Sequence, residues 1–292
     1  MAHGILTGKT GIITGALDEH SIAWKTALLA KEEGAQFILT NAPVALRMGP
    51  AKELAEQTGA QLLPADLTSL EDINKLYDAA AEQFGQIDFV LHSIGMSPNV
   101  RKDRAYTELN YDWYHKTLDV SAVSLHKMLQ TAMDRDLIRE WGSVVGLTYI
   151  AAQQVFPRYS DMTDAKSLLE SIARTYGYFY GVKKKVRVNT ISQSPTPTTA
   201  GQGVGGFDRM ITFAERMSPL GNASAQECAE YIISLFSDYT RKVTMQNLYH
   251  DGGFSKMGVT DPLLDVMSRE WAPGEEFFPQ GWDPITGAPD KK

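Results

Sequence analysis

A doubly wound α/β fold, one parallel sheet with helices on both faces, follows from three features of the sequence. Short apolar runs alternate with longer amphipathic stretches over the first 150 residues, and two further strand-like runs continue the pattern. The first apolar run leads through a glycine into a helical stretch opened by a serine. Residues 1–255 contain neither an internal repeat nor a low-complexity linker, so one domain is expected there. Strict alternation of strand and helix implies parallel pairing. Right-handed crossovers then bring the loops after the strands to one edge, where ligands bind.

In chain order, residues 10–15 read as the first strand, and a helix is expected over residues 21–33, closed by Gly34. Residues 37–40 and 61–66 give the second and third strands. A helix over residues 70–84 ends at Gly85, and residues 87–92 form a fourth strand. Further strands are placed near residues 142–147 and 186–191, with a last one over 243–250 before Asp251-Gly252-Gly253. From about residue 255 the register changes to a short helical stretch, 263–269, and then to Pro- and Gly-rich segments. That tail carries Trp271, Phe277, Phe278 and Trp282. At about 25 cal/mol per Å² of apolar area, such a set is costly to leave in water. The expected division is a main domain over residues 1–258 and an extension, 259–292, packed on it or on a neighbouring subunit.

A net charge of −7 argues against a nucleic-acid-binding surface. No apolar run approaches a membrane span, and the N-terminus lacks the pattern of a secretory leader, so a cytoplasmic location is expected. The single cysteine, Cys228, sits at helical spacing and reads as a buried thiol, and no metal site is expected.

Four loops at the carboxyl edge have the chemistry of a dinucleotide site. The turn from Gly15 to Ala23 departs from the G-x-G-x-x-G pattern but keeps its physical content. Gly15 permits a tight turn, and the N–H groups of Ser21 and Ile22, with the Ser21 hydroxyl, can face a pyrophosphate at the positive end of the helix. Asp66 ends the third strand, where its carboxylate can accept from an adenine amino group while Leu67 packs the ring; a helix cap is the plainer alternative. Ser93, Ile94 and Gly95 let the backbone run close to a ribose. Thr196 and Thr198, beside Pro195, offer hydroxyls and amides to a carboxamide and a pyrophosphate. The second strand ends in Asn41-Ala42 with no carboxylate for a ribose 2′-hydroxyl, and Arg47 follows, so local chemistry leans slightly to NADPH.

Tyr159 and Lys166 stand seven positions apart, with Tyr149 ten positions upstream of Tyr159. Most carbonyl-reducing dehydrogenases of this build place a tyrosine four residues before the lysine and a serine thirteen before that tyrosine. Here those positions hold Met162 and Tyr149, so two phenols and an ammonium replace the usual set. Together with Ser21-Ile22-Ala23, His92-Ser93-Ile94-Gly95, Asn189-Thr190-Ile191-Ser192 and Asp251-Gly252-Gly253-Phe254, this order and spacing over residues 5–257 resembles the bacterial NADH-dependent enoyl-acyl-carrier-protein reductases of the short-chain dehydrogenase/reductase superfamily.

The resemblance implies a Rossmann-type homotetramer that uses NADH to reduce the carbon–carbon double bond of a fatty acyl thioester on acyl carrier protein. It places catalysis at Tyr149, Tyr159 and Lys166, with both tyrosines and the Ser97 backbone against substrate. It assigns adenine contacts to Asp66 and Leu67, pyrophosphate contacts to Ser21, Ile22 and Thr198, and ribose contact to Lys166. The chain departs from the family at Ser194, where a glycine is usual, and at Pro197, where a basic residue is common. Basic residues for docking an acidic carrier reduce to Arg209 and Arg216. The glycines of residues 201–206 suggest a mobile lid, whereas Lys183-Lys184-Lys185 reads as a solvated turn at the opposite edge. Two other readings share the fold. A ketone reductase must account for Met162, and a non-catalytic NADH sensor must account for the retained Tyr159 and Lys166.

Overall fold

Seven strands form the sheet: β1 (Thr10–Thr14), β2 (Gln36–Asn41), β3 (Gln61–Pro64), β4 (Ile87–His92), β5 (Ile138–Thr148), β6 (Arg187–Gln193) and β7 (Asn247–His250). The structure is a computed structural model, and it describes residues 3–199, 207–270, 282–283 and 288–289. All seven strands pair in parallel, in the order β3-β2-β1-β4-β5-β6-β7. The order reverses between β1 and β4, which opens a crevice at their carboxyl ends.

Helices cover both faces, which explains why the central strands read as unbroken apolar runs. On one face, α1 (Ile22–Glu32) and α10 (Ala225–Phe236) bury Trp24, Ala27 and Ile232 against Ile13, Phe89 and Leu91. Phe89 stacks on Phe236 with ring centroids 4.5 Å apart. On the other, α4 (Leu70–Phe84), α7 (Ser124–Asp134) and α8 (Met162–Lys184) pack Leu76, Leu125 and Leu169 over Ile12, Val90 and Val144. The Tyr77 and Tyr180 hydroxyls, buried in this layer, donate to the Met128 and Leu129 carbonyls of α7.

Several elements differ from expectation for identifiable reasons. The last strand begins at Asn247 instead of 243, because Met245 adopts φ 62° and breaks the extended run. β3 stops at Pro64, while β5 extends back to Ile138 through Trp141 at φ 65°. Two short helices, α2 (Pro43–Met48) and α3 (Ala51–Thr58), occupy a stretch read only as connection. Beyond β4, α5 (Pro98–Arg101) and α6 (Tyr111–Leu118) precede a π turn at Asp119–Val123 that runs into α7. After β6 comes α9 (Phe207–Met217), and α11 (Asp261–Glu270) matches the expected short helix. Trp271, Phe277 and Phe278 lie outside the described residues; Trp282–Asp283 pairs antiparallel with Ala288–Pro289.

The turn after β1 holds the crevice open. Gly15 sits at φ +86°, and a Cβ added there would lie 1.9 Å from the Ser93 carbonyl oxygen. Gly15→Ala should therefore cost at least about 2 kcal/mol of stability. A urea unfolding curve checks this, and an unmoved midpoint would show that the backbone can open at no cost.

Candidate active site

The loops after β1, β4 and β6 meet at the crevice. The Gly15 amide donates to the Thr40 carbonyl at 2.9 Å, and the Ser93 amide donates to the buried Thr14 hydroxyl at 3.1 Å. The Ser21 hydroxyl donates to the Asp18 carbonyl at 2.6 Å and accepts from the Leu17 amide, so it is committed to its own turn and does not face outward as expected. The Ser21 amide also goes to Asp18. What remains for an anion is the first turn of α1, where the Ile22 and Ala23 amides have no acceptor within the helix.

The 196–199 segment closes over this turn through a hydrogen bond from the Thr199 hydroxyl to the Asp18 carboxylate. Thr196 turns inward, donating to the Ser194 carbonyl at 2.9 Å, so its hydroxyl is not offered to a ligand; Thr198 is half-buried, and its amide donates to the Thr196 carbonyl at 2.7 Å. The family departure at Ser194 has a local use, since its hydroxyl accepts from the Ala223 amide at 3.0 Å. Asp66 is exposed and accepts from the Thr68 amide and hydroxyl in the turn before α4; the cap of that helix is Ser69, so Asp66 is not the helix cap of the plainer alternative. Leu67 is buried in the core, so its side chain does not pack a ring and only its backbone can meet one.

Lys166 stands beside Gly95, and its ammonium reaches the end of β5, the strand that Tyr149 directly follows. A Cβ added to Gly95 would stand 3.5 Å from the Lys166 ammonium, so backbone and cation are neighbours. The buried ammonium donates to the Leu147 carbonyl at 2.8 Å. Burial pushes the Lys166 pKa down to about 8, partly opposed by the Glu170 carboxylate one turn along α8. Glu170 itself accepts from Thr148 at 2.9 Å, Gln153 at 3.0 Å and Asn247 at 3.2 Å. It thereby ties the end of β5, the turn after Tyr149 and β7 to the helix that carries Lys166. Sequence reasoning passed over Glu170; the available signal was an acid four positions beyond the lysine.

Tyr149 directly follows β5, is 6% exposed, and has a hydroxyl with no hydrogen-bond partner among the described residues. The ring of half-buried Tyr159 lies 5.1 Å away, tilted by 52°. Burial raises both phenol pKa values above the ordinary tyrosine value, and Tyr159 and Asp251 add to the rise at Tyr149. Both therefore keep their protons near neutral pH and act as donors. His92 is pushed down to about 3 by burial and then by Lys166, so it is neutral. The Ser124 hydroxyl gives its only proton to the Val120 carbonyl, which leaves His92 Nε2 as the donor to Ser124 Oγ at 2.8 Å. Beside the phenols, Ile150, Ala214, Met217 and Phe254 form an apolar wall with Phe156, Met210 and Leu263 packed against it.

Ser97 is buried, and its hydroxyl caps α5 through the Val100 amide, which leaves its backbone as the part able to meet a substrate. The adjacent Met96 is held by Ser121 of the π turn, whose hydroxyl accepts from the Met96 amide at 3.0 Å. A π insertion at such a place is often functional, and no sequence pattern marked it. Asp161, also passed over, is fully buried with its oxygens bonded to Ser97, Asn99 and Thr117. The glycine-rich lid, residues 201–206, lies outside the described residues. Lys184 pairs with exposed Asp136 at 2.7 Å, as suits a solvated turn. Among the described residues no three His, Cys, Asp or Glu are placed to hold a metal, and no helix is long and apolar enough to cross a membrane.

A family model described as enoyl-(acyl carrier protein) reductase matches residues 15–255. The enoyl-acyl-carrier-protein reductase (NADH) 2 of Rhizobium meliloti is 32% identical over 266 residues, covering 91% of this chain and 97% of its own. The corresponding enzyme of Aquifex aeolicus is 30% identical over 262 residues, 88% of this chain and 94% of its own. The solved FabI–NADH complex from Alistipes finegoldii superposes with a TM-score of 0.89 at 57% identity, over 94% of this chain and 96% of that one.

The lowered lysine pKa has a signed consequence. Because the folded value, about 8, lies below the unfolded 10.5, the unfolded chain holds the proton more tightly between those pH values. The penalty for burying the charged ammonium is full below about pH 8 and fades as pH rises toward 10.5. Lys166→Met removes the penalty, so the melting temperature of this variant relative to wild type should fall as pH rises from 8 to 10. A difference that stays constant across that range would place the ammonium in an open, hydrated position.

Proposed function

The chain belongs to the enoyl-(acyl carrier protein) reductase family, and we propose on that footing that it reduces the double bond of a trans-2-enoyl thioester on acyl carrier protein with NADH, in fatty acid biosynthesis. The observation that carries this reading is the grouping of two protonated phenols and a buried ammonium at the end of β5, with Met162 in the position where ketone reductases keep their acid. The residues suit the dinucleotide. Gly15 leaves no room for a side chain beside Ser93, and Lys166 gives one N–H to Leu147, keeping two for a ribose.

NADH, when bound, supplies the hydride that adds to the β-carbon. As that bond forms, negative charge gathers on the thioester oxygen, and the chain's task is to meet it with fixed donors. Tyr159 donates to that oxygen. Lys166 holds the ribose and, with its lowered pKa, eases proton supply toward the enolate. Tyr149, whose buried hydroxyl has no partner among the described residues and whose ring packs on Tyr159, acts at the same oxygen or as a relay. Neutral His92 adds no competing charge. The apolar wall around Phe254 and Met217 suits the acyl chain.

A homotetramer in the cytoplasm completes the proposal. Its support is the exposed apolar strip Tyr178, Phe179 and Val182 on α8, a surface suited to a second copy. Residues 1–258 would form the catalytic domain and 259–292 an extension, supported by Leu263 of α11, which packs on the cluster around Tyr149. Truncation after Gly258 should lower the melting temperature, and a tetramer of unchanged stability by light scattering would make the extension a passenger.

Oxidation of NADH in the presence of crotonyl or dodecenoyl thioester, compared with a β-keto thioester, tests the reaction. Turnover with the keto compound alone would replace this reading with ketone reduction. Tyr159→Phe should lower kcat by about 100-fold, the scale of one oxyanion donor, with NADH affinity within about threefold. Lys166→Met should weaken both, read by fluorescence titration with NADH. Collapse of NADH affinity in the tyrosine variant at unchanged kcat would contradict the assigned roles.

A further inference from the structure

Asp161 lies two residues beyond Tyr159 and is 0% exposed. One carboxylate oxygen accepts from the Ser97 hydroxyl at 2.6 Å. The other accepts from the Asn99 amide group at 2.7 Å and stands 2.8 Å from the Thr117 hydroxyl, whose single proton it shares with the Trp113 carbonyl, also at 2.8 Å. Those donors come from the loop after β4, from α5 and from α6. The knot is nearly saturated on the donor side: Ser97 also accepts from Val100, and Asn99 gives its second N–H to the Asn110 carbonyl and accepts from the Asn110 amide. Asp161 stands at the N-cap of α8, yet its side chain makes no capping bond. A carboxylate is costly to bury unless its oxygens are bonded, and here its bonds run to the loop after β4, to α5 and to α6 instead of into its own helix.

The residue between Tyr159 and Asp161 needs such an anchor. Ser160 adopts φ 47° and ψ −136°, and its buried hydroxyl has no partner. A non-glycine residue held there is strained and persists only where its surroundings enforce it. On one side Tyr159 packs on Tyr149. Elsewhere the same segment borders a cavity of about 470 Å³ along Phe156, Pro157 and Ser160, so side-chain packing alone does not fix it.

Resting on the reductase reading above, we propose that Asp161 is a positioning residue: it locks the segment bearing Tyr159 to the loop bearing Ser97, and so sets the gap in which the thioester oxygen meets its donor. Neither Asp161 nor Ser97 is among the residues assigned to the cofactor, so NADH affinity serves as the control for a wider disturbance of the Gly95 loop and α8.

Asp161→Asn keeps the shape but turns an amide N–H toward a hydrogen-bond donor. Ser97→Ala cuts the same link from the other end without introducing repulsion. NADH titration counts the folded sites in each preparation, and kcat and KM for crotonyl thioester are then expressed per NADH-binding site. Asp161→Asn should lose about tenfold or more in kcat/KM for the thioester, with NADH affinity within twofold. Ser97→Ala should lose less, in the same direction, with a melting temperature near wild type. A per-site kcat/KM within twofold of wild type in both variants would overturn the inference. So would a loss mirrored by an equal loss of NADH affinity, which marks a general structural role. If wild-type protein failed to reduce the enoyl thioester at all, the reductase reading would fall first, and the positioning role with it.

Discussion

Where β1 and β4 lie side by side, the chain leaves both strands so closely that the Gly15 Cα meets the Ser93 carbonyl with no space for a methyl group. The rest of the site is arranged around that approach. It brings the first turn of α1 to one side of the crevice and the Ser93–Gly95 backbone to the other. Lys166 rises from α8 to within contact distance of Gly95. Parallel pairing with helices on both faces leaves only the strand ends free for chemistry, so every polar group of consequence is gathered at one edge.

Helix α8 carries Asp161, Lys166 and Glu170 within three turns, all buried, and each is stabilised differently. The two acids are surrounded by neutral hydroxyl and amide donors, and the cation sits on a carbonyl. Glu170 uses its oxygens on Thr148, Gln153 and Asn247, so it lends Lys166 negative potential without gripping it. A direct ion pair would hold the ammonium close to its ordinary pKa and occupy the N–H groups that a ribose needs.

The sheet was legible because its strands are apolar on both faces, and the Tyr149, Tyr159 and Lys166 spacing was legible because those residues stay within eighteen positions. Hydroxyl directions were not legible. Ser21 and Thr196 each had a carbonyl two or three residues away, and a local acceptor outcompetes a ligand still to arrive. Asp161 and Glu170 escaped notice for the opposite reason: their partners are remote, Ser97 lying 64 positions away and Asn247 77. An acid on a helix looks solvated until the fold delivers its donors. The π turn was equally hidden, since one inserted residue leaves the apolar spacing of α6 and α7 nearly unchanged.

The exposed strip on α8 and the ammonium of Lys166 belong to a single uninterrupted helix of 23 residues. Twelve residues separate Lys166 from Tyr178, which at 1.5 Å of rise per residue is about 18 Å of stiff rod. A load applied at Tyr178, Phe179 or Val182 is carried along that rod to the cation, because the helix has no proline along its length to act as a joint. A contact made at the outer end would thus share one mechanical member with Lys166 and reach the ammonium as a tilt or a shift of the same rigid body.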